Sequence, residues 1–70
     1  MARVIKMYQV GKLNSKEDEK VIKGLLEEYS GITMVNPISD FGILEIEYEE
    51  ALVSRETIAN VLKEKGYELK

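Results

Sequence analysis

Four oxygen-bearing side chains crowd one short stretch of this sequence: Ser15, Glu17, Asp18 and Glu19, just after Val10-Gly11-Lys12-Leu13-Asn14. Oxygen ligands at such spacing suit hard cations, yet calcium takes about six to eight oxygens in a shaped loop. No such loop is spelled here. Cysteine and histidine are both absent from all 70 residues. That excludes a structural zinc site, a cysteine nucleophile and histidine acid–base catalysis. The other chemistry open to these four residues is local. Serine followed three residues later by an acid caps a helix, and acids in a first turn complement the helix dipole.

The elements around that stretch can be read from residue patterning. Arg3 to Val10 is rich in β-branched and aromatic residues, is partly apolar on both faces, and reads as a strand ending at Gly11. Ser15 opens a helix whose apolar stripe is Val21, Ile22, Leu25, Leu26 and Tyr29, with Gly31 expected as its C-terminal cap. Gly24 lies inside that helix and reads as a tolerated surface position. Ile32 to Ile38 is a weaker strand. Pro37 cannot donate to a ladder, which predicts an edge. After the turn Ser39-Asp40-Phe41-Gly42, Leu44, Ile46 and Tyr48 alternate with Glu45 and Glu47 in a half-buried strand. Ser54 caps a second helix, with Val53 and Ile58 at hydrophobic-staple positions and Ile58, Val61 and Leu62 as its buried stripe. Gly66 ends it, and Tyr67-Glu68-Leu69 is a short last strand.

The order is β-α-β-β-α-β with short connections. Right-handed crossovers place both helices on one face of a four-stranded sheet. The expectation is an α+β, ferredoxin-like sandwich in a single domain spanning residues 1–70. A chain of this length buries only about 60% of its unfolded surface, so its stability is modest.

Composition narrows the function classes. Ten basic residues against 13 acidic give a net charge of −3, whereas a nucleic-acid binder usually shows a basic face. No charged-then-apolar leader and no apolar run of bilayer-spanning length is present. The expectation is a cytoplasmic, non-catalytic domain that uses no cofactor, binds no nucleic acid and does not insert into a membrane. Arg3 and Arg55, the only arginines, stand outside any glycine-rich loop, which argues against a phosphate-cleaving enzyme. Ile5, Met7 and Ile43 are expected on the open sheet face as a possible interface with a protein partner or a second copy. Ile38 and Phe41 near the hairpin tip are a weaker candidate.

Laid end to end, these pieces resemble the heavy-metal-associated domain of copper chaperones, mercury-binding proteins and metal-transporting ATPases. The resemblance spans nearly the whole chain without gaps. It is carried by Gly31-Ile32, Val35-Asn36, the segment Gly42 to Tyr48, Val53-Ser54 and Gly66-Tyr67. The family's metal motif, Met-Thr-Cys-x-x-Cys, falls on Leu13-Asn14-Ser15-Lys16-Glu17-Asp18, so both cysteines are replaced, by Ser15 and Asp18. An alternative register puts Asn14 and Glu17 at the ligand positions; the first keeps Leu13 buried and the helix stripe in phase. Lys12 stands where the family commonly has glycine. Tyr67 stands where bacterial chaperones carry a tyrosine close to the metal loop. The resemblance implies a fold that has kept its scaffold and lost its soft-metal site, serving as an interaction or regulatory module linked to metal transport. The alternative is a metal carrier using non-cysteine ligands or ligands from a partner chain.

Overall fold

A computed structural model describes Arg3–Lys70. Its elements are β1 (Arg3–Gly11), α1 (Lys16–Glu27), β2 (Ile32–Ile38), β3 (Ile43–Glu49), α2 (Arg55–Glu64) and β4 (Glu68–Leu69). The strands form one sheet in the order β2-β3-β1-β4, and every neighbouring pair is antiparallel. This is the ferredoxin-like arrangement that the element order dictates. Among the described residues no helix is long and apolar enough to cross a membrane.

Alternation on β3 decides which face is buried. Leu44 and Ile46 are completely buried and Tyr48 nearly so. Their antiparallel partners on β1 are Tyr8, Lys6 and Val4, which therefore share the helix-facing side. Ile22 and Leu26 from α1, Ile58 and Leu62 from α2, and Leu13 and Val53 from the connections close the core from above. β2 is an edge strand, so Pro37 sits where a missing N–H costs little.

Three departures from the sequence reading have physical causes. Helix α1 stops at Glu27, with Glu28 as its cap in ordinary right-handed geometry. Tyr29 therefore lies beyond the helix, and Val21 turns toward solvent. The buried stripe contracts to Ile22 and Leu26, with Leu25 half-buried. Gly31 is not a helix cap. It is a close-approach glycine: a Cβ added there would stand 2.6 Å from Val53 Cγ2 and 2.8 Å from Leu52 Cβ, closer than packed atoms tolerate. Its carbonyl accepts from Glu49 N at 2.8 Å, which binds the segment after α1 to the end of β3. Finally, the outward alternation of β3 breaks at Glu49. This residue is buried, and its Oε1 has no hydrogen-bond partner among the described residues.

Gly66 does end α2 as expected. Its φ of +89° is a left-handed value that glycine adopts without Cβ strain. Gly66 N donates to Lys63 O at 3.0 Å and Tyr67 N donates to Leu62 O at 3.0 Å, the paired bonds of a Schellman cap. That cap aims the chain into β4 and places Tyr67 over the start of α1. Gly24 has nothing near it, in keeping with a surface position.

Candidate metal-loop site

The loop between β1 and α1 is organised by one carboxylate. Asp18 Oδ2 accepts from Asn14 N at 3.0 Å, from Ser15 N at 3.1 Å and from Ser15 Oγ at 3.1 Å. Asp18 N in turn donates to Ser15 Oγ at 3.2 Å, which completes a capping box. The other oxygen, Oδ1, accepts from Tyr67 Oη at 2.7 Å. That short bond joins the first turn of α1 to the chain entering β4, across a sequence separation of 49 residues.

The structure thus brings Leu13, Asn14, Ser15, Asp18 and Tyr67 together. Leu13 is buried at 2% exposure and anchors the loop in the core. Asn14 takes part through its backbone. Tyr67 is buried and donates a hydrogen bond, a larger role than packing over the rim of the loop. Glu17, a ligand position in the alternative register, is exposed, as are Asn14 and Ser15.

These bonds shift the ionisations. Asp18 is held below the ordinary carboxylate range, chiefly by the Asn14 backbone N–H and then by the Tyr67 hydroxyl. Tyr67 is pushed up to about 12, first by burial and then by its bond to Asp18. Its phenol therefore stays protonated and remains a donor.

Two features of the loop escaped the sequence reading. Lys12 adopts φ +73°, a left-handed conformation that costs a residue with a Cβ on the order of 1 kcal/mol. Glu19, read as a dipole-complementing acid, reaches across to the β2–β3 turn. Its Oε2 accepts from Ser39 N at 2.8 Å and from Ser39 Oγ at 2.6 Å. Those two bonds, the side-chain one first, hold the Glu19 carboxyl below its usual range. Only the serine in Ser39-Asp40-Phe41-Gly42 hinted at such a partner.

A pH dependence follows. Asp18 and Glu19 have depressed folded-state pKa values, so their stabilisation is fully present above the unfolded carboxylate value of about 4. It is lost as pH falls through their lower folded values. Urea midpoints measured from about pH 7 down to about pH 2 are expected to fall on the acid side. Asp18→Asn is expected to make that fall shallower; an unchanged slope would show that Asp18 is not one of the groups responsible.

The donor set does not fit a soft ion. Cu(I) prefers thiolates, and the chain has none. Ser15 and Asp18 spend their oxygens on N–H and O–H groups of the loop and on the Tyr67 hydroxyl. Among the described residues no group of three or more acidic side chains gathers to hold a metal.

Against solved structures the chain matches metal-handling proteins over nearly its whole length. The amino-terminal domain of the zinc(II) ATPase ZiaA, in its apo form, shares 26% identity at a TM-score of 0.85, covering 97% of this chain and 96% of that one. Oxidized MerP from Ralstonia metallidurans matches at 13% identity and TM-score 0.90, covering 99% and 96%. A CopZ metallochaperone matches at 13% identity and TM-score 0.89, covering 96% and 100%. The last two likenesses speak for the fold alone. The chain has a heavy-metal-associated-like fold. No protein-family model and no curated protein matches it.

Proposed function

We propose that this chain is a non-catalytic, cytoplasmic heavy-metal-associated-like module whose soft-metal site has been replaced by a carboxylate staple, and that it acts through a protein partner in a metal-transport setting. The observation that carries the reading is the Asp18 carboxylate, which accepts four hydrogen bonds where the related motif would place a thiolate. Similarity to the ZiaA domain supports the link to metal transport.

The partner surface in this reading is the open sheet face. Ile5 and Met7 stand there at 59% and 61% exposure. Their partners across β3 are Glu47 and Glu45, and Ile43 lies beside Gln9, one step diagonal from Met7. Glu47 and Glu45 are tied to Thr33 and Asn36 on β2. An apolar pair beside a row of fixed carboxylates suits a protein partner with basic and apolar side chains and repels a nucleic-acid backbone.

Chemical-shift mapping tests the loss of the site. Addition of Cu(I), Zn(II) or Ca(II) is expected to leave the amides of Asn14 to Glu19 unmoved. Saturable shifts there would assign the loop to a metal and overturn the proposal.

A further inference from the structure

A second feature lies apart from the loop and shares no residue with it. An open cleft of about 400 Å³ forms where the helix-facing side of β1 and the end of β3 meet the start of α2. Lys6, Tyr8, Tyr48, Glu50, Ser54 and Arg55 line it. Lys6 is on the helix-facing side, opposite Ile46, yet it is exposed. A charged side chain therefore occupies an inward register position of β1, between Val4 and Tyr8, which pack against the core.

Donors dominate the walls. Among the described residues neither Lys6 nor Arg55 is in an ion pair. Arg55 lies over the Tyr8 ring, 5.8 Å from its centroid, a cation–π contact that holds the guanidinium at the rim. The Tyr8 and Tyr48 hydroxyls are 2.8 Å apart. Each hydroxyl has a single proton. One proton lies between the two oxygens, and the other is left to donate elsewhere. Tyr8 is pushed up to about 12, first by burial and then by the bond to Tyr48, so its phenol stays protonated under physiological conditions. Glu50 is the one acid in the lining. The wall carries two positive side chains against one negative, in a chain whose net charge is −3.

We propose that this cleft binds an oxyanion, taking the phosphate or carboxylate group of a small molecule between Lys6 and Arg55 with the spare tyrosine proton as a third donor. Arginine and lysine both favour such groups, and arginine adds a planar fork that can bind two oxygens at once. The volume is in the range of small-ligand sites. Glu50 opposes the anion and sets a modest affinity, near the millimolar scale. The proposal is independent of what the metal loop does.

The test is an NMR titration of the isotope-labelled chain with inorganic phosphate, malonate and chloride at matched ionic strength. The expected result is saturable shifts at Lys6 to Tyr8 and at Ser54 and Arg55 with phosphate, malonate or both, and none with chloride. A response to one probe alone identifies which oxyanion the cleft prefers. Lys6→Gln and Arg55→Gln are each expected to weaken binding roughly tenfold, the loss of one charge-assisted hydrogen bond, in spectra that otherwise stay folded. Shifts that do not saturate, that appear equally with chloride, or that survive both substitutions overturn the proposal.

Discussion

Replacing Ser15 and Asp18 together by cysteine (S15C/D18C) is expected to give a chain that binds Cu(I) with sub-micromolar affinity. Two thiolates would then stand three residues apart at the mouth of α1, where the helix amino terminus lowers thiol pKa values. Leu13 already anchors the loop at 2% exposure, so the backbone that must present the ligands is in place. The substitution has an opposing effect on the apo chain. Loss of the Ser15 cap costs about 1 kcal/mol, and loss of Asp18 leaves Asn14 N, Ser15 N and Tyr67 Oη without their shared acceptor. The apo double variant should therefore melt below the native chain, and bound metal should restore the difference by mass action. Competition against a Cu(I) chelator reads the affinity, and a thermal melt with and without metal reads the coupling. A double variant that folds but binds no tighter than about 1 µM would show that the scaffold no longer presents ligands at these positions.

Leu26→Ala is expected to be the most damaging simple truncation on α1. Leu26 is completely buried on the face that packs against the sheet. Removing it costs lost burial plus a cavity, together about 2–5 kcal/mol. Domains of this size have little to spare, with total stability of about 5 kcal/mol. The variant should keep no more than about 3 kcal/mol of stability, visible in a markedly lowered urea midpoint. Met7→Ser is the matched control. Met7 is 61% exposed, so its loss should change stability by no more than about 0.5 kcal/mol. Comparable losses in the two variants would contradict the assignment of the buried face.

Much of this architecture is legible in the residues because local and global signals agree. Ser15 and Ser54 cap helices in the structure as their types and followers imply. Leu44, Ile46 and Tyr48 mark the inner face of β3, and Pro37 marks β2 as an edge. The misreadings arise where tertiary contact overrides local pattern. Gly31 looks like a helix cap because glycine so often is one. Its real constraint is the approach of Leu52 and Val53, residues some twenty positions away. Tyr29 continues the apolar period beyond a helix that has already ended. Glu49 continues the outward row of Glu45 and Glu47 by position but is buried.

The candidate site divides in the same way. The capping pair is visible from Ser15 and Asp18 because capping is local, a matter of three residues. The bonds that turn it into a staple are not local. Tyr67 Oη to Asp18 and Ser39 to Glu19 span 49 and 20 residues. Neither has a sequence signature, since a tyrosine after a helix-ending glycine and a serine in a turn have many possible partners. The cleft at Lys6 and Arg55 is still less legible. It depends on a lysine placed at an inward position of β1 and on where α2 begins.

The central claim is that Asp18 now closes the loop that a metal–thiolate centre would otherwise organise. The most direct test is a Cu(I) titration of the native chain against a competing chelator, with S15C/D18C as the positive control. The native chain is predicted to leave the chelator fully loaded while the double variant strips it. Sub-micromolar Cu(I) capture by the native chain would contradict the account.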